Sequence, residues 1–191
     1  MKILNLYAGL GGNRRLWGDD HEITAVENDP KIAGKYAESF PNDTLIIGDA
    51  HQYLLDHHKG FDFIWSSPPC QTHSVCNYFL YGQGIVRYPD LKLWQEILFL
   101  KQFCKDKHWI VENVKSYYPT ILNPIIIERH QIWSNIEIPI IELPKRDIGT
   151  FNRSASKEAQ KRSKKTQAQR NCVNEILGLH VLNCIKEDQD E

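Results

Sequence analysis

The sequence predicts an α/β fold, a mostly parallel twisted sheet with helices on both faces, in one domain over residues 1–191. Three observations carry that expectation. Strand-like apolar runs alternate with helix-like segments, as in a sheet whose crossovers are helical. Loops rich in glycine or proline follow the strands directly, where an open sheet of this kind binds its ligands. The composition, 41% hydrophobic and 25% charged over 191 residues, supplies enough apolar material for a sizeable core.

Taken in order, "KILNLY" (Lys2 to Tyr7) reads as a buried strand, followed by a glycine loop and a short helix near Arg14 to Trp17. "EITAVEN" is a second strand, and Pro30 suits the first turn of a helix around Lys31 to Phe40. "TLIIGD" and "FDFIWS" are the third and fourth strands. A polar and aromatic loop, Gln71 to Pro89, leads into "DLKLWQEILFLKQFCKD", whose Leu91, Trp94 and Ile97 fall at helical spacing. "HWIVEN" is a fifth strand, "IIIERHQIWSN" and "IEIPIIEL" read as further strands, and "CVNEILGLHVLNCI" reads as a closing helix.

No apolar run approaches a membrane span, and the start "MKILNLYAGLGG" is too short and too glycine-rich for a signal peptide. A membrane is therefore not an expected partner. Five cysteines without a CxxC pair fit a reduced, cytoplasmic protein that holds no structural zinc. The expected state is a monomer or weak dimer. The net charge of −1 hides an asymmetry, because Arg153 to Arg170 carries seven basic residues against one acid, Glu158. Such a tract is either a solvated face or a phosphate-contacting segment.

Glycines in "YAGLGG", just after the first strand, let a backbone approach a ligand closely. Glu27 ends the second strand, where an acid accepts hydrogen bonds from ribose hydroxyls, and Asp49 ends the third, where it can meet an adenine edge. The spacing is not the GxGxxG that supports a pyrophosphate, so a nucleoside without phosphates fits better than a dinucleotide. Incidental turns and caps are the plainer alternative. In "FIWSSPPCQTHS" the fourth strand runs into Pro68 and Pro69, which cannot continue a ladder. Cys70 then projects from a rigid loop at a strand end. Glu112 ends the fifth strand in "VENV", and an acid there is costly to bury unless it is paired or has a task. Neighbouring fourth and fifth strands would place Cys70 and Glu112 at one pocket.

The ordered set "LYAGLGG", "ENDP", "GDA", "SPPCQ" and "VENV" resembles the cytosine-5 DNA methyltransferases, which use S-adenosylmethionine. The resemblance implies a single Rossmann-like methyltransferase domain, with Cys70 as nucleophile and Glu112 as the contact to a ring nitrogen. "ERHQIWSN" stands in place of the family's arginine-bearing strand, which implies Arg129 as a third catalytic residue. "RNCVNEILGLHVL" resembles the final motif and adds Asn171. On the cofactor side the resemblance implies Tyr7, as a stacking aromatic, with Ala8, Gly9, Gly11, Gly12, Glu27, Asn28, Asp49, Ala50, Pro69 and Leu93. The customary Gln-x-Arg-x-Arg run is missing, and residues 147–170 stand in place of a full target-recognition region. So compact a form resembles a phage or mobile-element member acting in a bacterial cell.

The implied chemistry requires these residue types. Thiolate addition at carbon 6 of cytosine makes carbon 5 an enamine-like nucleophile able to take the sulfonium methyl. A neutral Glu112 donates to nitrogen 3 and absorbs the developing charge. The target base must leave a duplex to be reached. The expected DNA contacts are Gln71, Ser74 and Gln83 in the lid-like loop, with Lys157, Lys161, Arg162, Lys164 and Lys165 in the basic tract. RNA as substrate, and a non-catalytic DNA-binding or partner subunit, are the alternative readings, and the short recognition region also admits a separate chain that supplies specificity. An amino-methyltransferase also uses a Pro-Pro loop, and Ser67 would suit it, but Cys70 stands where that chemistry wants a stacking aromatic.

Overall fold

The computed structural model describes residues 1–144 and 166–190. Five strands run parallel: β1 (Lys2–Leu6), β2 (Glu22–Glu27), β3 (Thr44–Ile47), β4 (Phe63–Ser66) and β5 (His108–Val114). β6 (Ile125–Ile127) and β7 (His130–Ser134) complete the sheet, with β7 antiparallel to both neighbours. The strand order is β3-β2-β1-β4-β5-β7-β6. The order reverses between β1 and β4, so the crevice beyond their carboxyl ends is where such a sheet binds ligands.

Alternation along β1 shows how the sheet feeds two cores. Leu4 and Leu6 face one side and join Leu54, Ile64, Leu93, Ile97, Val111 and Trp133. Ile3 faces the other and joins Trp17, Phe63, Trp65, Ile110 and the closing helix residues Leu177, Val181 and Ile185. Each fully buried Leu or Ile contributes about 1.5–3 kcal/mol, so both layers are needed to hold the sheet. The closing helix, Glu175–Asp190, is thus part of the same domain as the first strand. Trp17 Nε1 donates to the Gly178 carbonyl at 3.0 Å and pins them together.

Crossover helices fill the gaps. Helix α1 (Pro30–Ser39) starts on an Asp29 cap with Pro30 in its first turn, as expected. Helix α2 (Ala50–His57) is absent from the sequence reading; Asp49 caps it, its carboxylate accepting the N–H groups of His51 and Gln52. The long loop after Cys70 contains a short helix, α3 (Asn77–Tyr81), and the strong helical pattern is α4 (Lys92–Phe103).

One expected strand does not form. Residues 136–143, "IEIPIIEL", have no ladder partner among the described residues. Pro139 lacks the N–H that a strand needs. The segment is apolar because Ile138 is buried in the core, with Ile136, Ile141 and Leu143 packed against it. The Pro139 carbonyl lies 2.8 Å from His180 Nε2 on the closing helix. No helix of the described residues is long and apolar enough to cross a membrane.

Candidate functional site

The site begins where β1 stops. Tyr7, Gly9 and Gly11 have φ of 55°, 57° and 69°, so the backbone leaves β1 by a left-handed path. Glycine is required at 11, where an added Cβ would lie 2.2 Å from the Phe40 ring. It is also required at 12, where a Cβ would lie 2.4 Å from the Val173 carbonyl oxygen. That contact brings the segment before the closing helix against the glycine loop. Asn171, exposed at the end of a short helix (Gln167–Asn171), lines the resulting cleft.

Glu27, buried at the end of β2, anchors the loop. Its Oε2 accepts the Gly9 N–H at 2.9 Å and its Oε1 accepts the Asp29 N–H at 3.0 Å. The N–H of buried Ala8 donates to the Val26 carbonyl. Asn28 is exposed beside them. Two carboxylates, Glu27 and Asp49, face this end of the cleft. Burial raises the Asp49 pKa, but the N–H groups of Gln52 and His51 and the Lys92 ammonium outweigh it and hold this carboxyl below its ordinary value. Ala50, Pro69 and Leu93 supply apolar walls.

Tyr7 does more than offer a ring. Its hydroxyl donates to Glu96 Oε1 at 2.5 Å, from the end of β1 to α4. Glu96 is fully buried, and it also meets His51 Nδ1 at 2.9 Å and the Ser66 hydroxyl at 2.6 Å. A buried carboxylate is tolerated when each oxygen is satisfied in this way. Burial and the neighbouring Glu96 both push the Tyr7 hydroxyl far above its usual range, so it stays a donor. The hydrogen bond to Glu96 raises His51 in spite of burial. The network locks β1, β4, α2 and α4 beneath the cleft.

At the other end, β4 and β5 pair in parallel, with Ser66 opposite Val111. Asn113 Nδ2 holds the Pro68 carbonyl at 3.0 Å and fixes the proline turn. Cys70, partly buried, and Glu112, buried, line the same cleft. The Ser67 hydroxyl donates to Glu112 Oε2 at 3.0 Å while accepting from Trp65 Nε1 at 2.8 Å. His130 Nδ1 lies 2.5 Å from Glu112 Oε1. Burial pushes the Cys70 thiol up, and the Glu112 charge pushes it further; a hydrogen bond to its own backbone and Arg129 pull it down. Arg129 reaches the cleft, and its guanidinium donates to the Cys172 carbonyl at 3.2 Å.

The structure therefore brings Cys70, Glu112 and Arg129 and the sequence-predicted cofactor-side residues other than Gly11 to adjoining pockets along the carboxyl ends of β1 to β5. Gly11 lines neither pocket and packs against Phe40 instead. Gln71 also lines the cleft. Ser74, whose hydroxyl accepts the Cys76 N–H, and Gln83, beyond α3, lie in the following segment. Lys157, Lys161, Arg162, Lys164 and Lys165 lie outside the described residues. The sequence pointed to Ser67 only for the amino-methyltransferase alternative, and to no role for Glu96 or His130. For Ser67 and His130 the signal available was a polar side chain at or beside a strand end, and for Glu96 an acid within an apolar helical pattern, features that many solvated residues share.

A family model described as C-5 cytosine-specific DNA methylase matches residues 1–120. A tRNA (cytosine(38)-C(5))-methyltransferase of Spodoptera frugiperda is 28% identical over 145 residues, 67% of this chain and 40% of the relative. The chain thus spans about two fifths of the length of that curated relative. Among solved structures, a Spodoptera frugiperda DNMT2 mutant is 27% identical, covering 63% of this chain and 38% of that one, with a TM-score of 0.45. A conserved hypothetical protein of Streptococcus pyogenes is 16% identical, covering 70% and 85%, with a TM-score of 0.42. The family match spans well over half of the chain and takes in the glycine loop, Glu27, Asp49, Cys70 and Glu112, and the chain belongs to the C-5 cytosine-specific DNA methylase family.

Proposed function

We propose that this chain transfers a methyl group from S-adenosylmethionine to carbon 5 of cytosine in DNA, through a covalent adduct of Cys70 with a flipped base. The observation that carries the reading is the placement of Cys70 just after β4 and Glu112 near the carboxyl end of the adjacent parallel strand β5, on a cleft that continues to Glu27. The donor set fits an adenosine-type cofactor. Carboxylates at Glu27 and Asp49 suit hydroxyl and amino donors and repel phosphates. Gly9 and Ala8 allow close backbone approach, and Pro69 and Leu93 can cover an adenine. S-adenosylmethionine supplies the electrophilic methyl. Every other part of the chemistry falls to the chain.

Cys70, as thiolate, bonds to carbon 6; the carbon 5–carbon 6 π pair shifts, and charge develops at nitrogen 3. Glu112, held by Ser67, donates its proton there. Carbon 5 takes the methyl and then loses its own proton to a base; expulsion of the Cys70 thiolate restores the ring, and nitrogen 3 returns its proton to Glu112. The segment after Cys70 exposes Tyr78, Phe79, Tyr81 and Tyr88, aromatic rings of the kind that stack on nucleobases.

RNA is a second reading, favoured by the similarity to a tRNA methyltransferase. Duplex DNA, single-stranded DNA and bulk tRNA, each offered with methyl-labelled S-adenosylmethionine, separate the two. Label in 5-methylcytosine of duplex DNA is expected. Label confined to tRNA selects the second reading, and no label in any substrate overturns both.

A further inference from the structure

Glu112 has a titratable partner that the reaction above leaves unused. His130 opens β7, the antiparallel neighbour of β5, and its Nδ1 meets Glu112 Oε1 at 2.5 Å. The two side chains are 3% and 6% exposed. A carboxyl so deeply buried is tolerated only when paired or neutral. The groups facing it are the Ser67 hydroxyl from the end of β4, the Cys70 thiol, Arg129 and His130. Arg129 is engaged with the Cys172 carbonyl, and the hydrogen-bonding nitrogen on Glu112 belongs to His130.

We propose that His130 is the positioning residue for Glu112, resting on the reading that Glu112 serves nitrogen 3 of a cytosine. Its Nδ1–H donates to Oε1 and Ser67 donates to Oε2, so the carboxyl plane cannot turn. The proton that Glu112 carries on Oε2 is then aimed into the cleft. When the Cys70–carbon 6 bond forms, that proton passes to nitrogen 3, and the resulting carboxylate keeps two hydrogen bonds, from His130 and Ser67. It returns to Oε2 as the carbon 5 proton leaves and Cys70 departs. His130 therefore also stabilises the charge left behind after donation, at the moment when Cys70 has just lost its own.

Two measurements test this. Imidazole ¹⁵N spectra of the folded wild type should show His130 protonated at Nδ1, with the Nδ1 proton shifted on Glu112→Gln; a bare Nδ1 would overturn the proposal whatever the activity. His130→Ala should lower kcat on the order of 10²-fold with KM for S-adenosylmethionine unchanged, the scale of loss when a reacting group is misplaced. His130→Asn keeps a donor near Nδ1 and should recover most of that loss. His130→Ala with wild-type kcat overturns this inference and leaves the methyl-transfer reading standing. A wild type that methylates no nucleic acid overturns both. If His130→Ala fails to fold, the spectra and His130→Asn decide.

Discussion

The carboxylate of Glu27 accepts the backbone N–H of Gly9 at 2.9 Å, which joins the end of β2 to the loop after β1. With Asp29 on the other oxygen, each oxygen keeps a lone pair for a ligand hydroxyl. Glu27→Ala should weaken S-adenosylmethionine binding by roughly 1.5–3 kcal/mol, the range for a hydrogen bond to a charged group. Asp49→Ala should cost less affinity but about 1 kcal/mol of stability, because Asp49 caps α2. Calorimetry and denaturant titration separate the two, and unchanged affinity in Glu27→Ala would remove the ribose site from β2.

The second prediction concerns the thiol. Burial, and then the Glu112 charge, raise the Cys70 pKa. A raised pKa means less thiolate than in a free cysteine at neutral pH, so alkylation of Cys70 should reach half its plateau rate at a higher pH than a free thiol, which is half ionised near about pH 8.5. Glu112→Gln tests the second cause: faster Cys70 alkylation marks a charged Glu112 in the free protein, and an unchanged rate marks the neutral form that the proposed transfer to nitrogen 3 needs. Cys104, buried and pushed up to about 11, should react far more slowly than exposed Cys76. Peptide mapping after timed alkylation reads all three. A Cys70 profile that levels off below pH 8 would contradict the electrostatics described here.

Two glycines should respond to alanine with opposite signs. A Cβ at Gly178 would lie 2.1 Å from the Asn13 carbonyl oxygen and 2.7 Å from the Asn13 Cα, both backbone atoms. Gly178→Ala must part the closing helix from the glycine loop and should cost about 1–3 kcal/mol, as overpacking does. Cofactor affinity should fall with it, since Gly12 and Val173 meet in the same contact. Gly34, within α1, has nothing within 4 Å of an added Cβ. Gly34→Ala should stabilise by roughly 0.5–1 kcal/mol through helix propensity. Urea unfolding of the pair measures both.

What was legible in the sequence was what chain-local chemistry dictates. Prolines after "FIWS" stop a strand wherever it sits, and an acid at the end of an apolar run marks a strand end, so Cys70 and Glu112 could be paired before any coordinates. Helix α2 is illegible in the sequence because it is only eight residues long and its start is marked by Asp49, an acid that equally suits a strand-end contact to a ligand. Residues 136–143 were misread because an apolar run looks alike whether it pairs in a ladder or covers a core. His130 and Glu96 were illegible for a deeper reason. Whether a polar side chain is solvated or buried against a partner is decided by elements distant in sequence, here β5 with β7 and β1 with α4.

The basic tract carries the last prediction. If Lys157, Lys161, Arg162, Lys164 and Lys165 meet phosphates, they add sequence-independent affinity by releasing counterions. Replacing Lys157, Lys161 and Lys164 with glutamine should then weaken nucleic-acid binding at moderate salt. The slope of log affinity against log salt should flatten by about one unit for each contact removed. The methylated sequence should stay the same, because phosphate contacts position a duplex and leave its bases unread. A solvated face predicts no change of slope. A changed methylation pattern with little loss of affinity would instead make this tract the element that reads the target. Salt titration beside a map of methylated cytosines distinguishes the three outcomes, and an unaltered slope would exclude phosphate contact.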